Sequence, residues 1–302
     1  MNSQDFPPER EVRPRPPVIR LKHLVIYGIL TLWIAPTIFA FVWVTSVSLK
    51  TNREFMGEPP WALPLEAHWE NYSKAWERGI GTMFQNSLLI ATVSTIAAVS
   101  IACFAAYPIA RIPFRFSEAL LTYFLIGIMI PYMLTTVPLY FGIEAARQWL
   151  LKLPTPITLD SRWLLILLYT VAQLPFNTFV MTGFFKSLPT ELEEAAAIDG
   201  ASPFRAFWQI MVPMATPGIS SLTILGFLYG WNEFFYALIF VRDTAHRTVP
   251  LGLFYMDQTA QYSASWVGLF AGMLIAAVPV LIVFAVLQDQ VATGLTAGAL
   301  KG

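Results

Sequence analysis

Residues able to do chemistry are few in this chain, and they fall in two places. The first is an acidic island running from Pro189 to Pro203, in which Glu191, Glu193, Glu194 and Asp199 crowd four carboxylates into nine residues. Beside the small side chains of Ala195, Ala196 and Ala197, that density of charge suits close docking into a protein cleft. It has the wrong sign to hold the segment on anionic lipid. A plain interfacial connection between two spans is the other reading of the same residues. The second place is Glu233, flanked by Trp231 and Asn232 inside a long apolar run. An acid there is expensive, and usually faces the bundle interior or a water-filled cavity. Aromatic and amide groups suit sugar faces and hydroxyls, so Trp231, Asn232 and Glu233 are candidates for a translocation path, with Gln173 and Asn177 weaker ones. A hydrogen bond made only for helix packing is the competing role for Glu233.

Several chemistries are excluded. Cys103 is the single cysteine, and His23, His68 and His246 are scattered without ligand spacing, so neither a disulfide framework nor a Cys/His metal site is expected. Nothing matches Gly-x-x-x-x-Gly-Lys-Ser/Thr, so the chain cannot cradle ATP phosphates itself. No nucleophile elbow, metal-spaced His pair or paired intramembrane carboxylates are present, which removes the usual catalytic constellations. A formal net charge of zero leaves no footprint for nucleic acid.

The elements that must position these residues follow from composition. The chain is 56% hydrophobic, 15% aromatic and 13% charged, far from a soluble domain. Six apolar runs stand out: Leu24–Leu49, Ser87–Ala110, Ala119–Ile143, Trp163–Phe185, Ile219–Val241 and Trp266–Leu287. The shortest holds 22 residues, enough to cross a hydrocarbon core of about 30 Å. The expected fold is therefore an all-α polytopic membrane protein of six transmembrane helices, and the acidic island connects the fourth to the fifth. Glu233 is the one formally charged residue in the six runs. With Gly226, Gly230 and Ala237 it follows a helical 4-3-4 spacing, which puts it on the small-residue face of a continuous fifth helix. Gly226 and Gly230, and likewise Gly268 and Gly272, are spaced for close helix contact. Pro36, Pro131, Pro138, Pro175 and Pro279 are expected to kink their spans.

Orientation rests on local charge. Arg10, Arg13, Arg15, Arg20 and Lys22 precede the first run, and the short Arg111–Arg115 connection is basic, which gives N-in and C-in. The totals hardly discriminate, since ten Lys/Arg fall inside and the other nine of the 19 outside. Residues 1–22, rich in Pro and Arg, read as a disordered cytoplasmic tail. Residues 23–288 form the transmembrane domain, with the island in a loop over 187–217, and 289–302 form a small-residue tail. Within the loop, Thr190 and Glu193 read as a capping box, Gly200 as a left-handed stop, and Ser202 with Pro203 as the start of a second helix.

Spacing in the loop goes further. Glu194-Ala195-Ala196, three residues, Gly200, nine residues, then Ile210-Met211-Val212-Pro213 resembles the EAA motif of ABC importer permeases, with Val212 where that family usually has Leu. Trp69-Glu70-Asn71-Tyr72 after Ser48-Leu49-Lys50 resembles the outer loop of carbohydrate-importing permeases, and Trp231-Asn232-Glu233 a cluster common among them. The ending Gly294-Leu295-Thr296 through Lys301-Gly302 resembles the smaller permease subunit of maltose-type importers. The resemblance covers almost everything after the N-terminal tail. It implies a permease of the bacterial cytoplasmic (inner) membrane that is not itself an enzyme. It implies that Glu191, Glu193, Glu194, Ala195, Ala196, Asp199, Gly200 and Pro213 form a cytoplasmic coupling helix and its surroundings, with Glu194 meeting an Arg or Lys of an ATPase. Gly294, Leu295, Thr296 and Lys301 would reach the same ATPase. Implied partners are a homologous second permease, two copies of the ATPase carrying Mg-ATP, an extracytoplasmic solute-binding protein, a sugar and membrane lipid. The alternative is a secondary transporter, which needs several intramembrane ionisable groups and internal repeats. One acid and no evident repeat count against it.

Overall fold

A computed structural model describes residues 21–153, 160–263 and 265–299, with side chains for all of these except 21–22, 262–263 and 287–299. Every regular element among the described residues is helical. The principal ones are α1 (Leu21–Ser48), α2 (Gly81–Arg111), α3 (Ser117–Met129), α4 (Tyr132–Leu151), α5 (Ser161–Ser187), α6 (Glu191–Ile198), α7 (Pro203–Met214), α8 (Thr216–Asn232), α9 (Phe235–Phe240), α10 (Val249–Ser263) and α11 (Val267–Ala299). Residues 1–20 of the expected N-terminal tail lie outside the described range, and α1 has already begun at Leu21. The expected C-terminal tail is helical through Gly294, Leu295 and Thr296 as the end of α11, while Lys301 lies outside the described residues.

Four helices are long and apolar enough to cross a membrane, and two bent pairs bring the number to six when each pair counts as one span. The third span bends within the stretch where prolines are expected to kink it, but as a sharp corner, and the second bend falls before the fifth run, where the second helix of the loop meets it. α3 meets α4 at 96°. Pro131 drives this corner, because its ring pushes Ile130 out of the helical region to φ −81°, ψ 115°. Pro131 is thus a terminator and not a kink, whereas Pro36, Pro138, Pro175 and Pro279 sit inside helices as expected. α7 meets α8 at 71° around Ala215.

The continuous helix expected over Ile219–Val241 stops at Asn232. Glu233 is extended, at φ −66°, ψ 131°, and its carboxylate turns onto the following helix. Oε1 accepts the Tyr236 N–H at 2.8 Å, and Oε2 accepts the Ala237 N–H at 3.4 Å. Glu233 therefore caps α9, supplying acceptors to N–H groups that a new helix start leaves unpaired.

Small residues make the core possible. Along α2, Ala91, Thr95, Ala98, Ala102 and Ala106 recur at helical spacing and are all buried, so neighbouring backbones approach closely. α2 packs most extensively on α5 and then on α8, and α8 on α11, so these four helices form the centre. α1 buries only Val47 and Ser48, at its end, among its described side chains, and lies against α11. α3 has no buried residue, and α4 only Thr136. The glycine pairs divide. A Cβ on Gly230 would lie 3.1 Å from the Ala91 Cα, one on Gly226 would collide with the Gln173 Oε1, and one on Gly272 would lie 3.0 Å from the Ile80 Cδ1. A Cβ on Gly268 would meet nothing within 4 Å among the described residues, so it makes no close contact there and its expected role fails.

At the start of the core, the segment after α1 is pinned by Asn71, whose Nδ2 donates to the Ser48 carbonyl at 2.9 Å and the Lys50 carbonyl at 3.0 Å. The Tyr72 and Ser48 hydroxyls share a hydrogen bond of 2.7 Å. Thr51 and Glu54 form a capping box over the short helix Asn52–Gly57, and the Thr51 N–H holds the Glu54 carboxyl below its ordinary range. Those outer-loop residues are a clasp.

Two outcomes follow. Gly230→Leu overpacks the α2–α8 contact and lowers stability by about 1–3 kcal/mol, read as a lower thermal midpoint in detergent, while Gly268→Ala leaves that midpoint where it is. Glu233→Ala strands the N–H groups at the start of α9, at a cost of about 1–3 kcal/mol for each unpaired group. Glu233→Gln keeps an acceptor and is expected to retain expression and the thermal midpoint; equal loss in both variants would show that the charge, not the cap, holds this break.

Candidate functional site

The acidic loop is built from local signals, with one substitution of partner. α6 stops in a full Schellman arrangement: the Gly200 N–H bonds the Ala197 carbonyl at 3.1 Å and the Ala201 N–H bonds the Ala196 carbonyl at 2.9 Å. Gly200 itself is left-handed, at φ 77°, which a side chain would strain. Ser202 then caps α7 through the Arg205 N–H at 3.3 Å, with Pro203 in the first turn. The expected capping box at Thr190 does not form, since Thr190 is helical and its side chain makes no cap bond. Glu193 is occupied elsewhere.

Its carboxylate joins α6 to the end of α2. Oε2 lies 3.2 Å from the Arg111 Nε, and Oε1 accepts the Tyr107 hydroxyl at 2.8 Å. The Arg111 guanidinium also donates to the Leu188 carbonyl at the end of α5. Arg111 is 8% exposed and Glu193 22%, so this ion pair is partly shielded from water and holds better than a surface pair. The effect is a clamp from α2 to α6 with a branch to α5. Ala196 is buried beneath it. Glu191, Glu194, Ala195 and Asp199 face outward, beside Ile198 at 87% and Phe204 at 67% exposure. Pro213 is exposed near the end of α7, before the bend. The exposed face thus offers carboxylates around two bare apolar side chains, a surface able to dock on a cationic protein cleft.

The intramembrane candidates do not converge on one site. Glu233 faces α5, where the Tyr169 hydroxyl donates to its Oε2 at 2.6 Å, and only 5% of the residue is exposed. Trp231 turns to α11, its Nε1 donating to the Ala276 carbonyl at 3.1 Å, with its ring against Phe84 and Phe227. Asn232 is exposed and donates to the Leu228 carbonyl one turn back. With Trp231 it lines an apolar cavity of about 390 Å³ between α1, α8, α10 and α11. Gln173 and Asn177 are buried on α5. Gln173 donates to the Tyr169 carbonyl at 3.0 Å, but among the described residues its Oε1 and the Asn177 Nδ2 have no hydrogen-bond partner. Thr95 Oγ1 and Thr178 Oγ1 are unpaired in the same region, so a polar seam runs between α2 and α5.

Sequence reasoning missed Tyr107, Arg111 and Tyr169 as partners of the two acids. Arg111 was visible as part of a basic connection, but nothing in its neighbours points to a carboxylate 82 residues later. Tyr169 is one aromatic among many in an apolar run.

Comparison with known proteins adds the family. The profile of "Binding-protein-dependent transport system inner membrane component" matches residues 98–296. The chain is 32% identical to the probable ABC transporter permease protein YurM of Bacillus subtilis, over 92% of this chain and 88% of that one. It is also 32% identical to the diacetylchitobiose uptake system permease protein NgcG of Streptomyces coelicolor, over 92% of this chain and 88% of that one. The fold is shared with a crystal structure of a bacterial ABC transporter involved in the import of the acidic polysaccharide alginate, at a TM-score of 0.72 and 17% identity, covering 92% of this chain and 99% of that one. With its bundle of membrane-length helices and its clamped acidic loop, the chain belongs to the binding-protein-dependent transport system inner membrane components.

Proposed function

We propose that this chain is the permease subunit of an ABC importer that moves a sugar or sugar derivative into the cytoplasm. ATP is hydrolysed on two separate ATPase subunits, and an extracytoplasmic binding protein delivers the solute to a path shared with a second, homologous permease. The observation that carries this reading is the acidic face of α6, exposed at its tip and clamped at its base to α2. A docking helix must be both. Support for a sugar comes from the relative named for diacetylchitobiose uptake.

The mechanism is alternating access. Closure of the ATPase dimer around Mg-ATP pushes on α6, where Glu194, with Glu191 and Asp199, meets basic side chains while Ile198 and Phe204 fill apolar recesses. Glu193 and Arg111 pass that displacement to α2, and the Leu188 branch passes it to α5. The Schellman turn at Gly200 keeps the angle between α6 and α7 fixed, so the push is not absorbed by the loop. In this reading the segment bearing Gly294, Leu295 and Thr296, at the end of α11, meets the ATPase as well, as does Lys301, which lies outside the described residues. Trp231 and Asn232, which line the apolar cavity, are the better path candidates. Glu233 braces the wall of the bundle from inside. The arrangement has both termini in the cytoplasm of a bacterial inner membrane.

Charge reversal tests the docking face. Glu194→Lys is expected to lose ATPase subunits on copurification while the second permease stays bound; retention of the ATPase with normal uptake would sink the docking role. Arg111→Ala frees Glu193 and loosens the base of α6, so uptake per ATP hydrolysed falls in the complexes that still copurify, and Arg111→Lys restores part of it. An unchanged ratio of uptake to hydrolysis in Arg111→Ala would mean that the clamp carries no motion.

A further inference from the structure

At the far end of α2 from the acidic loop, two adjoining cavities of about 280 and 320 Å³ form a groove, with Ala75, Arg78, Ser265 and Gly268 lining both. α2 alone has 31 residues. At about 1.5 Å per residue it is roughly 46 Å long, more than a hydrocarbon core of about 30 Å, so the groove and the loop lie on opposite sides of the membrane.

The groove is cationic. Lys50, Lys74, Arg78 and Arg247 line it against one acid, Glu70. Lys50 is only 1% exposed, yet its nearest acid, Glu58, stands 3.7 Å away, beyond hydrogen-bond reach. Glu70 is already shared between Lys74 at 3.6 Å and His68 at 3.0 Å. Among the described residues Arg78 and Arg247 enter no ion pair, and the Arg247 guanidinium lies over the Tyr255 ring, 3.8 Å from its centroid. Gly268 keeps the shared wall open, since a Cβ there would meet nothing within 4 Å. The Asn71 clasp fixes the Lys50 side of the groove, so its charges are held in place before anything binds. Basic residues gather here on the side where Lys and Arg are ordinarily sparse. These four account for part of the even division of Lys and Arg between the two sides.

We propose that this groove is the docking site for a carboxylate-bearing surface of the extracytoplasmic binding protein, with Arg78 and Arg247 as its main anchors. Two unpaired guanidinium groups fit carboxylates in fork geometry, which lysines alone do not. A partner reaching this side of the membrane is what binding-protein dependence requires, and the acidic loop on the other side is turned away from it. The inference rests on the chain being an importer subunit.

The test uses the assembled transporter in lipid vesicles, with the binding protein that copurifies with it as probe, and follows ATP hydrolysis against binding-protein concentration at low and high salt. Arg78→Glu should raise the half-saturating concentration on the order of tenfold and flatten its salt dependence, as expected when an interfacial charge is reversed. Arg78→Lys, which keeps the charge but loses the fork, should raise the half-saturating concentration by a smaller factor than Arg78→Glu does. Unchanged half-saturation and salt dependence in Arg78→Glu, or a lower maximal rate with half-saturation unmoved, overturns the proposal. Loss of the second permease from the Arg78→Glu complex also overturns it, since the groove would then be a contact between the permeases. Should the unchanged transporter show no stimulation by the binding protein at all, the importer reading itself fails, which is a separate outcome.

Discussion

Inside a hydrocarbon core no water is present to bond a free backbone N–H or carbonyl, so a membrane helix can stop only where the chain supplies a replacement. That constraint organises the bundle. α8 ends at Asn232, and the next residue provides a carboxylate that accepts two N–H groups of α9 while Tyr169 holds it in place. Glu233 is therefore an internal substitute for solvent at a required break. The corner between α3 and α4 obeys the same rule differently, because Pro131 has no N–H to satisfy.

The acidic loop shows how charge is divided between holding and reaching. Four acids lie close together, but Glu193 is turned inward to Arg111 and Tyr107, while Glu191, Glu194 and Asp199 stay in water. An exposed helix of eight residues is too short to hold its shape alone. The clamp and the Schellman turn do that instead, which leaves the outward carboxylates free to meet another protein.

Much of this was legible in the chain. Apolar run lengths marked the spans, and Gly200 and Ser202 with Pro203 marked the turn and the second helix, because those features act over a few residues. The failures came where a distant partner competed. Thr190 and Glu193 have capping-box spacing, but an arginine from another helix outbids the local backbone for the carboxylate. The 4-3-4 pattern around Glu233 suggested a continuous helix, and periodicity cannot show that the acid itself begins a new one. Gly268 has the spacing of a helix contact, yet its neighbour on that face is empty space. The Asn71 clasp joins the two stretches of the outer loop, Ser48–Lys50 and Trp69–Tyr72, but their hydrogen bonds lie in three dimensions and not in the spacing.

The long central helix also has a mechanical meaning. With little bending, a rod of roughly 46 Å converts angle into distance, so a tilt of about 5° about one end carries the other through about 4 Å. Pro108 lies within a turn of the Arg111 end, and the π turn Trp76–Ile80, with Gly79 at φ 122°, stands just before the other, so the irregular turns are near the extremities and the shaft between them is regular. Such a lever needs no large rearrangement at its base to produce a displacement of side-chain dimensions at its tip.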